Sequence, residues 1–107
     1  MNYEIVATDL FARELKRLAK KYPGIKQDIA LLSAKLEHDP IMGILISEDC
    51  YKIRFAITGK ARGKSGGGRM ITLVKVEQEK VVLLAVYDKS EFVDISDEEL
   101  KARLKSA

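Results

Sequence analysis

The sequence predicts an α+β domain of element order βααβββα: an antiparallel sheet packed against two N-terminal helices, with a C-terminal helix. Three observations predict it. Residues 9–38 hold two runs of apolar residues at helical spacing, split by Pro23-Gly24. Residues 51–87 hold three strand-like runs. Ser96 followed by Glu99 reads as a helix start with a capping box.

Taken in order, Asn2 to Val6 alternates enough to be a short first strand. Thr8 then offers an N-cap hydroxyl to a helix beginning near Asp9. Phe11, Leu15, Leu18 and Tyr22 recur on one side of that helix, with Arg13, Lys16, Arg17, Lys20 and Lys21 between them. After the Pro23-Gly24 break, Ile25, Ile29, Leu32 and Leu36 mark a second helix, which Asp39-Pro40 must end. Two amphipathic helices joined by so short a turn lie roughly antiparallel, and their shared apolar face needs a sheet to cover it.

Tyr51, Ile53, Phe55 and Ile57 alternate with Lys52, Arg54, Ala56 and Thr58, the pattern of a strand with one buried face. Arg69 to Val76 reads as a second strand and Glu77 to Lys80 as a polar hairpin loop. Val81 to Tyr87 is apolar on both faces and is therefore expected inside the sheet. In the last helix, acids fill the first turn while Leu100 and Leu104 give a narrow apolar stripe.

A chain of 107 residues supports one domain, residues 1–107, with a single core. At 47% hydrophobic and 33% charged it reads as soluble, and no apolar run reaches the roughly 18 residues of a membrane span. The N-terminus lacks the basic-then-apolar order of a signal peptide, so a cytoplasmic protein is expected, with no membrane partner. Cys50 is the only cysteine and cannot form an internal disulfide. It lies far in sequence from the only histidine, His38, so neither a metal site nor a Cys-His nucleophile is expected, and no cofactor is implied.

The net charge of +3 is modest, but its distribution is uneven. Between residues 52 and 69 stand Lys52, Arg54, Lys60, Arg62, Lys64 and Arg69 without one Asp or Glu. Residues 77–99 are rich in acids. Within the basic segment, Gly63-Lys64-Ser65 looks like the end of a phosphate-binding Walker loop. That loop requires four residues between its first glycine and the Gly-Lys-Ser, and a helix directly after it. Here only Lys60, Ala61 and Arg62 follow Gly59, and three glycines lead into a strand. The segment is therefore a candidate basic groove, in which Gly66, Gly67 and Gly68 let a polyanion approach the backbone beside Lys60, Arg62 and Lys64.

Lys52 and Arg54 are two residues apart on a strand, so they share a face about 7 Å apart, near the spacing of successive phosphates. Arg69 shares its face with Ile71 and Leu73, which sets a guanidinium in apolar surroundings where it needs an anion. That anion is either an acid of the chain, such as Asp88 or Glu91, or a phosphate held bidentately. Tyr87-Asp88-Lys89-Ser90-Glu91 closes the last strand and enters a loop. There Asp88, Glu91 and Asp94 are either general bases or surface acids.

With these residues placed, the sequence resembles toxins of the RelE/ParE superfamily from bacterial type II toxin-antitoxin modules, closest to the HigB-like branch. The resemblance covers nearly the whole chain. It is carried by Asp39-Pro40 with Gly43, by Tyr51-Lys52-Ile53-Arg54, by the run from Gly63 to Arg69, and by Tyr87 to Glu91 followed by Glu99-Leu100. It implies an endoribonuclease that cuts mRNA in the ribosomal A site, in contact with ribosomal RNA. It also implies a cognate antitoxin as partner, with operator DNA reached only through that antitoxin.

By the same resemblance, Lys52 and Arg54 take the place of the paired strand cations, Arg69 that of the phosphate-binding arginine, and Lys89 that of the basic residue after the last strand. Lys60, Arg62 and Lys64 would grip RNA backbone. The best-known RelE-type toxins carry a tyrosine several residues beyond the position of Lys89; this chain has Phe92, Val93, Asp94 and Ile95 there, so Tyr87, Asp88 or Glu91 would substitute. The other functions compatible with the superfamily are a ParE-like inhibitor of DNA gyrase and an inactive homologue that only binds RNA or its antitoxin.

Overall fold

The computed structural model describes residues 2–61, 67–92 and 94–107. Among them the chain forms β1 (Glu4–Ala7), α1 (Asp9–Lys21), α2 (Ile25–His38), β2 (Ile44–Ser47), β3 (Cys50–Phe55), β4 (Gly68–Lys75), β5 (Lys80–Asp88) and α3 (Asp97–Ser106). The strands build one sheet in the order β1-β5-β4-β3-β2. The α+β class is as the sequence predicts.

Two features of the sheet correct the expectation. First, residues 44–47 add an edge strand, β2, that the sequence pattern did not reveal. Its Ile44 and Leu45 are 55% and 60% exposed, so no alternation of apolar and polar residues marks it. The strand follows Gly43, whose φ of 91° and close approach to the Lys52 carbonyl leave no room for a side chain. Second, the sheet is mixed, since β1 runs parallel to β5 while every other pairing is antiparallel. Parallel neighbours require a long connection, and this one comprises both helices and three strands, which no local spacing signals.

The starts of α1 and α3 follow from their capping residues. The Thr8 hydroxyl caps α1 by accepting from Phe11 N at 3.1 Å and donates to Leu83 O at 3.2 Å, tying the helix start to β5. Ser96 caps α3 by accepting from Glu99 N at 3.1 Å. The Glu99 side chain does not return the bond; it turns to Arg103 one turn on, at 2.8 Å.

Helices α1 and α2 cover one face of the sheet. Phe11, Leu18, Ile25, Ile29 and Leu36 pack there against Ile53, Phe55, Met70, Val81, Leu83 and Val86. Each such side chain contributes about 1.5–3 kcal/mol when fully buried. A bulge in β5 opposite Ile71 and Thr72 adds one residue, Leu84, and reverses the strand's parity. Val81 and Leu83 before the bulge, and Val86 after it, therefore all face the helices. The opposite face carries Cys50, Ile71, Val82, Leu84, Ala85 and Tyr87, and Leu100 of α3 packs on it. That second face holds Lys52, Arg54 and Arg69.

Candidate nucleic-acid interface

Residues paired directly across a sheet share a face. Arg54 on β3 pairs with Arg69 on β4, and Arg69 pairs with Tyr87 on β5, so these three side chains form one row across three strands. Lys52, two residues before Arg54, stands on the same face opposite Ile71. All four lie on the side away from α1 and α2. The structure thus brings together Lys52, Arg54, Arg69 and Tyr87 from three strands.

Directly opposed like charges in a sheet are destabilising. Arg54 and Arg69 are such a pair. Arg69 is 3% exposed, with its Nη1 donating to Gly68 O at 2.9 Å, whereas Arg54 is exposed. Gly68 is required beside it, because a Cβ there would meet the Phe55 ring at 2.3 Å. A buried guanidinium next to an exposed one makes a graded positive face, suited to an anion that is held at one end and enters from the other.

The loop between β5 and α3 returns over this face and sets Asp94 against it. Lys52 Nζ lies 3.3 and 3.4 Å from the two Asp94 carboxylate oxygens, and the Tyr87 hydroxyl donates to Oδ1 at 3.3 Å. Phe92 packs edge-on against the Tyr87 ring, 6.2 Å between centroids. Burial first, then the charge and the acceptance of a hydrogen bond by Asp94, push the Tyr87 phenol up to about 12 against the opposing effect of Arg69. Tyr87 is therefore a proton-bearing donor. A groove of about 420 Å³ opens beside it, lined among others by Phe92, Asp94, Ile95 and Ser96.

Other expected site residues lie elsewhere. Asp88 faces the helix side, opposite Gly68, and is fully buried. Its Oδ1 accepts from Lys60 Nζ, from Ser90 N at 3.0 Å and from Ser90 Oγ at 2.8 Å. Burial drives the Asp88 carboxyl upward, but the bonds from Lys60 and Ser90 and the Lys60 charge outweigh it and hold the group below its ordinary value. Lys60, expected to grip RNA, thus has its ammonium on Asp88, and Asp88, expected near the chemistry, is separated from it by the thickness of the sheet. Residue spacing does not show which ions will meet in the core.

Lys89 is exposed on the turn after β5, with its N–H donating to Gly67 O at 3.0 Å. Gly67 is buried at the entrance to β4. Arg62, Lys64 and Gly66 fall outside the described residues. Glu91 pairs with Arg17 at 3.2 Å, and Asp88 with Lys60. Cys50 is buried, and burial first, then the Asp49 charge, push its thiol up. Among the described residues, no group of three or more His, Cys, Asp or Glu is placed to hold a metal ion. Nor is any helix long and apolar enough to cross a membrane.

Asp94 is not marked out by the sequence. It was one of three acids after the last strand, and its only signal was its place in the segment where the resembled toxins carry a tyrosine. The loop path that delivers it to Lys52 is a tertiary fact.

No protein-family model matches the chain, and no curated protein sequence matches it. Solved structures do. A double arginine-to-alanine mutant of Escherichia coli toxin RelE in the free state is similar with a TM-score of 0.63 and 18% identity, over 98% of this chain and 97% of that one. The toxin-antitoxin complex RelBE2 of Mycobacterium tuberculosis contains a chain similar with a TM-score of 0.62 and 18% identity, over 82% of this chain and 99% of that one. The intact E. coli RelBE complex gives a TM-score of 0.59 and 20% identity, over 80% and 95%. At such identities the likeness is one of fold. The chain has the RelE fold.

Proposed function

We propose that the chain is the toxin of a type II toxin-antitoxin pair, a ribosome-dependent endoribonuclease that cuts mRNA in the A site and is held silent by a cognate antitoxin. The observation that carries this reading is the cationic face itself: Lys52, Arg54 and Arg69 converge from two paired strands beside Tyr87. Arg54 and Arg69 are directly paired across the strands, so one phosphate between them would be shared by both guanidinium groups.

The chemistry that fits is attack by a neighbouring 2′-hydroxyl on phosphorus, with the 5′-oxygen leaving and a 2′,3′-cyclic phosphate formed. Negative charge grows on the non-bridging oxygens as this happens. Arg69, fixed by its burial, is the group that stabilises that charge. Lys52 and Arg54 hold the phosphate and its neighbour, and Lys89 and the basic loop meet RNA backbone beyond the cut. An RNase of this kind acts in the cytoplasm, where ribosomes are.

The partner follows from the same face. The RelBE complexes hold a RelE-fold chain with an antitoxin. Here a small protein with an acidic or amphipathic segment laid over Lys52, Arg54 and Arg69 would exclude RNA.

The test is to add the purified chain, and Arg69→Ala, to translating ribosomes and map the new 5′ ends on the mRNA. Codon-phased cuts that fall by about 10²–10³-fold with Arg69→Ala are expected. Intact mRNA together with inhibited supercoiling would move the assignment to gyrase poisoning, on which the fold alone is silent.

A further inference from the structure

We infer that Asp94 is the general base of this cleavage, the group that takes the proton from the attacking 2′-hydroxyl. The inference rests on the nuclease reading above and adds the residue which that reading lacks. Of the other candidates, Asp88 is buried on the far side of the sheet against Lys60 and Ser90. Glu91 pairs with Arg17 on α1, the helix that covers the opposite face of the sheet. Tyr87 keeps its proton and donates it towards Asp94.

Asp94 has the position a base needs. Its carboxylate touches Lys52, one of the cations that hold the phosphate, and the 2′-oxygen that attacks is bonded to the ribose next to that phosphorus. With a side chain 56% exposed, it is open to an incoming ribose. The carboxylate is also aimed. Oδ1 accepts from the Tyr87 hydroxyl at 3.3 Å and from Ile95 N at 3.1 Å, while the described contact of Oδ2 is Lys52 at 3.3 Å. When Lys52 turns to the phosphate, Oδ2 is released with its orientation still held by Tyr87. The loop itself is pinned on the sheet by Ile95, which packs against the apolar cluster that includes Leu100 and Tyr87, and by the Ser96 cap of α3.

In the step, Asp94 takes the 2′-hydroxyl proton as the 2′-oxygen bonds to phosphorus. The bond from phosphorus to the 5′-oxygen breaks, and that oxygen takes a proton from solvent. Asp94 then returns its proton to solvent, so the protein is unchanged.

Single-turnover cleavage on programmed ribosomes by the unaltered chain, Asp94→Asn and Asp94→Glu tests this, with ribosome binding measured in parallel. Asp94→Asn is expected to lower the saturating rate by about 10²–10⁴-fold while binding changes little, and Asp94→Glu to recover part of the rate. If Asp94→Asn fails to fold by circular dichroism, Asp94→Ser carries the same expectation. Cutting by Asp94→Asn at the unaltered rate overturns the inference and leaves the nuclease standing. A loss confined to ribosome affinity, with the saturating rate intact, also overturns it. An unaltered chain that cuts nothing removes the nuclease reading and this inference together.

Discussion

Glu14 on α1 and Arg103 on α3 meet across the edge of β5 where β1 has ended. The guanidinium grips the carboxylate with two bonds, of 2.7 and 2.8 Å. Each partner also completes the strand: Arg103 donates to Leu84 O at 2.8 Å, and Glu14 accepts from Val86 N at 3.2 Å. Strand β1 pairs with β5 only as far as Leu83, so these backbone groups would otherwise be left at an open edge. The bond from Glu14 leads in raising the Arg103 pKa, against burial, and the guanidinium stays charged.

Replacing Arg103 by Met strips Leu84 O of its donor and leaves the Glu14 carboxylate half-buried without its cation. The expected loss is about 1–3 kcal/mol for the stranded groups, read as a lower urea midpoint. Because Leu100 and Leu104 are the other main anchors of α3, faster amide exchange should appear in residues 97–106 before the core opens. Equal midpoints and equal exchange would mean that the pair is ornamental.

Lys60 and Asp88 make a second test, in the core. Asp88 is fully buried and the Lys60 side chain 12% exposed, so Lys60→Met strands a buried carboxylate at a cost of about 3–5 kcal/mol. The pH dependence has a definite sign. The Asp88 carboxyl is held below its ordinary value, so its contribution is fully present above the unfolded-state pKa of about 3.9 and is lost as pH falls through the lower folded-state value. Urea midpoints of Asp88→Asn should therefore fall less steeply than those of the unaltered chain on acidification. Parallel curves would refute this.

Gly68→Ala probes the support behind Arg69. A methyl group there would lie 2.3 Å from the Phe55 ring, itself 5% exposed, so the ring must move. Overpacking of this kind costs about 1–3 kcal/mol. A variant as stable as the parent would show that the ring has room to yield.

Binding to single-stranded RNA should weaken with salt, with a slope of about 0.7 in log affinity against log salt for each phosphate contacted. Lys52→Ala should remove about one contact and lower the slope by roughly that amount. Lys60→Gln should leave the slope as it was, since its ammonium serves Asp88. A slope unaffected by Lys52→Ala would place the RNA elsewhere on the surface.

Much of the fold was legible because its signals are local. Phe11, Leu18, Ile25, Ile29 and Leu36 all stand in the core as their helical spacing requires, and the alternation from Tyr51 to Ile57 placed Lys52 and Arg54 on the face away from the helices. Strand β2 escaped notice because an exposed edge strand carries no buried face to set a pattern. The bulge at Leu84 escaped because both faces of β5 are apolar, so a change of parity alters no residue type.

The sequence by itself determined every α-helix and every strand but β2, the choice of sheet face for Lys52, Arg54 and Arg69, and the hydroxyl caps of α1 and α3, since each depends on residues within one or two turns or on period-two alternation. Tertiary structure alone decided that Arg54, Arg69 and Tyr87 form one row, that Lys60 belongs to Asp88, that Glu14 and Arg103 close the edge of β5, and that Asp94 reaches Lys52. These meetings join residues 15 to 89 positions apart, and their partners are chosen by strand register and loop path, which depend on the packing of the whole chain.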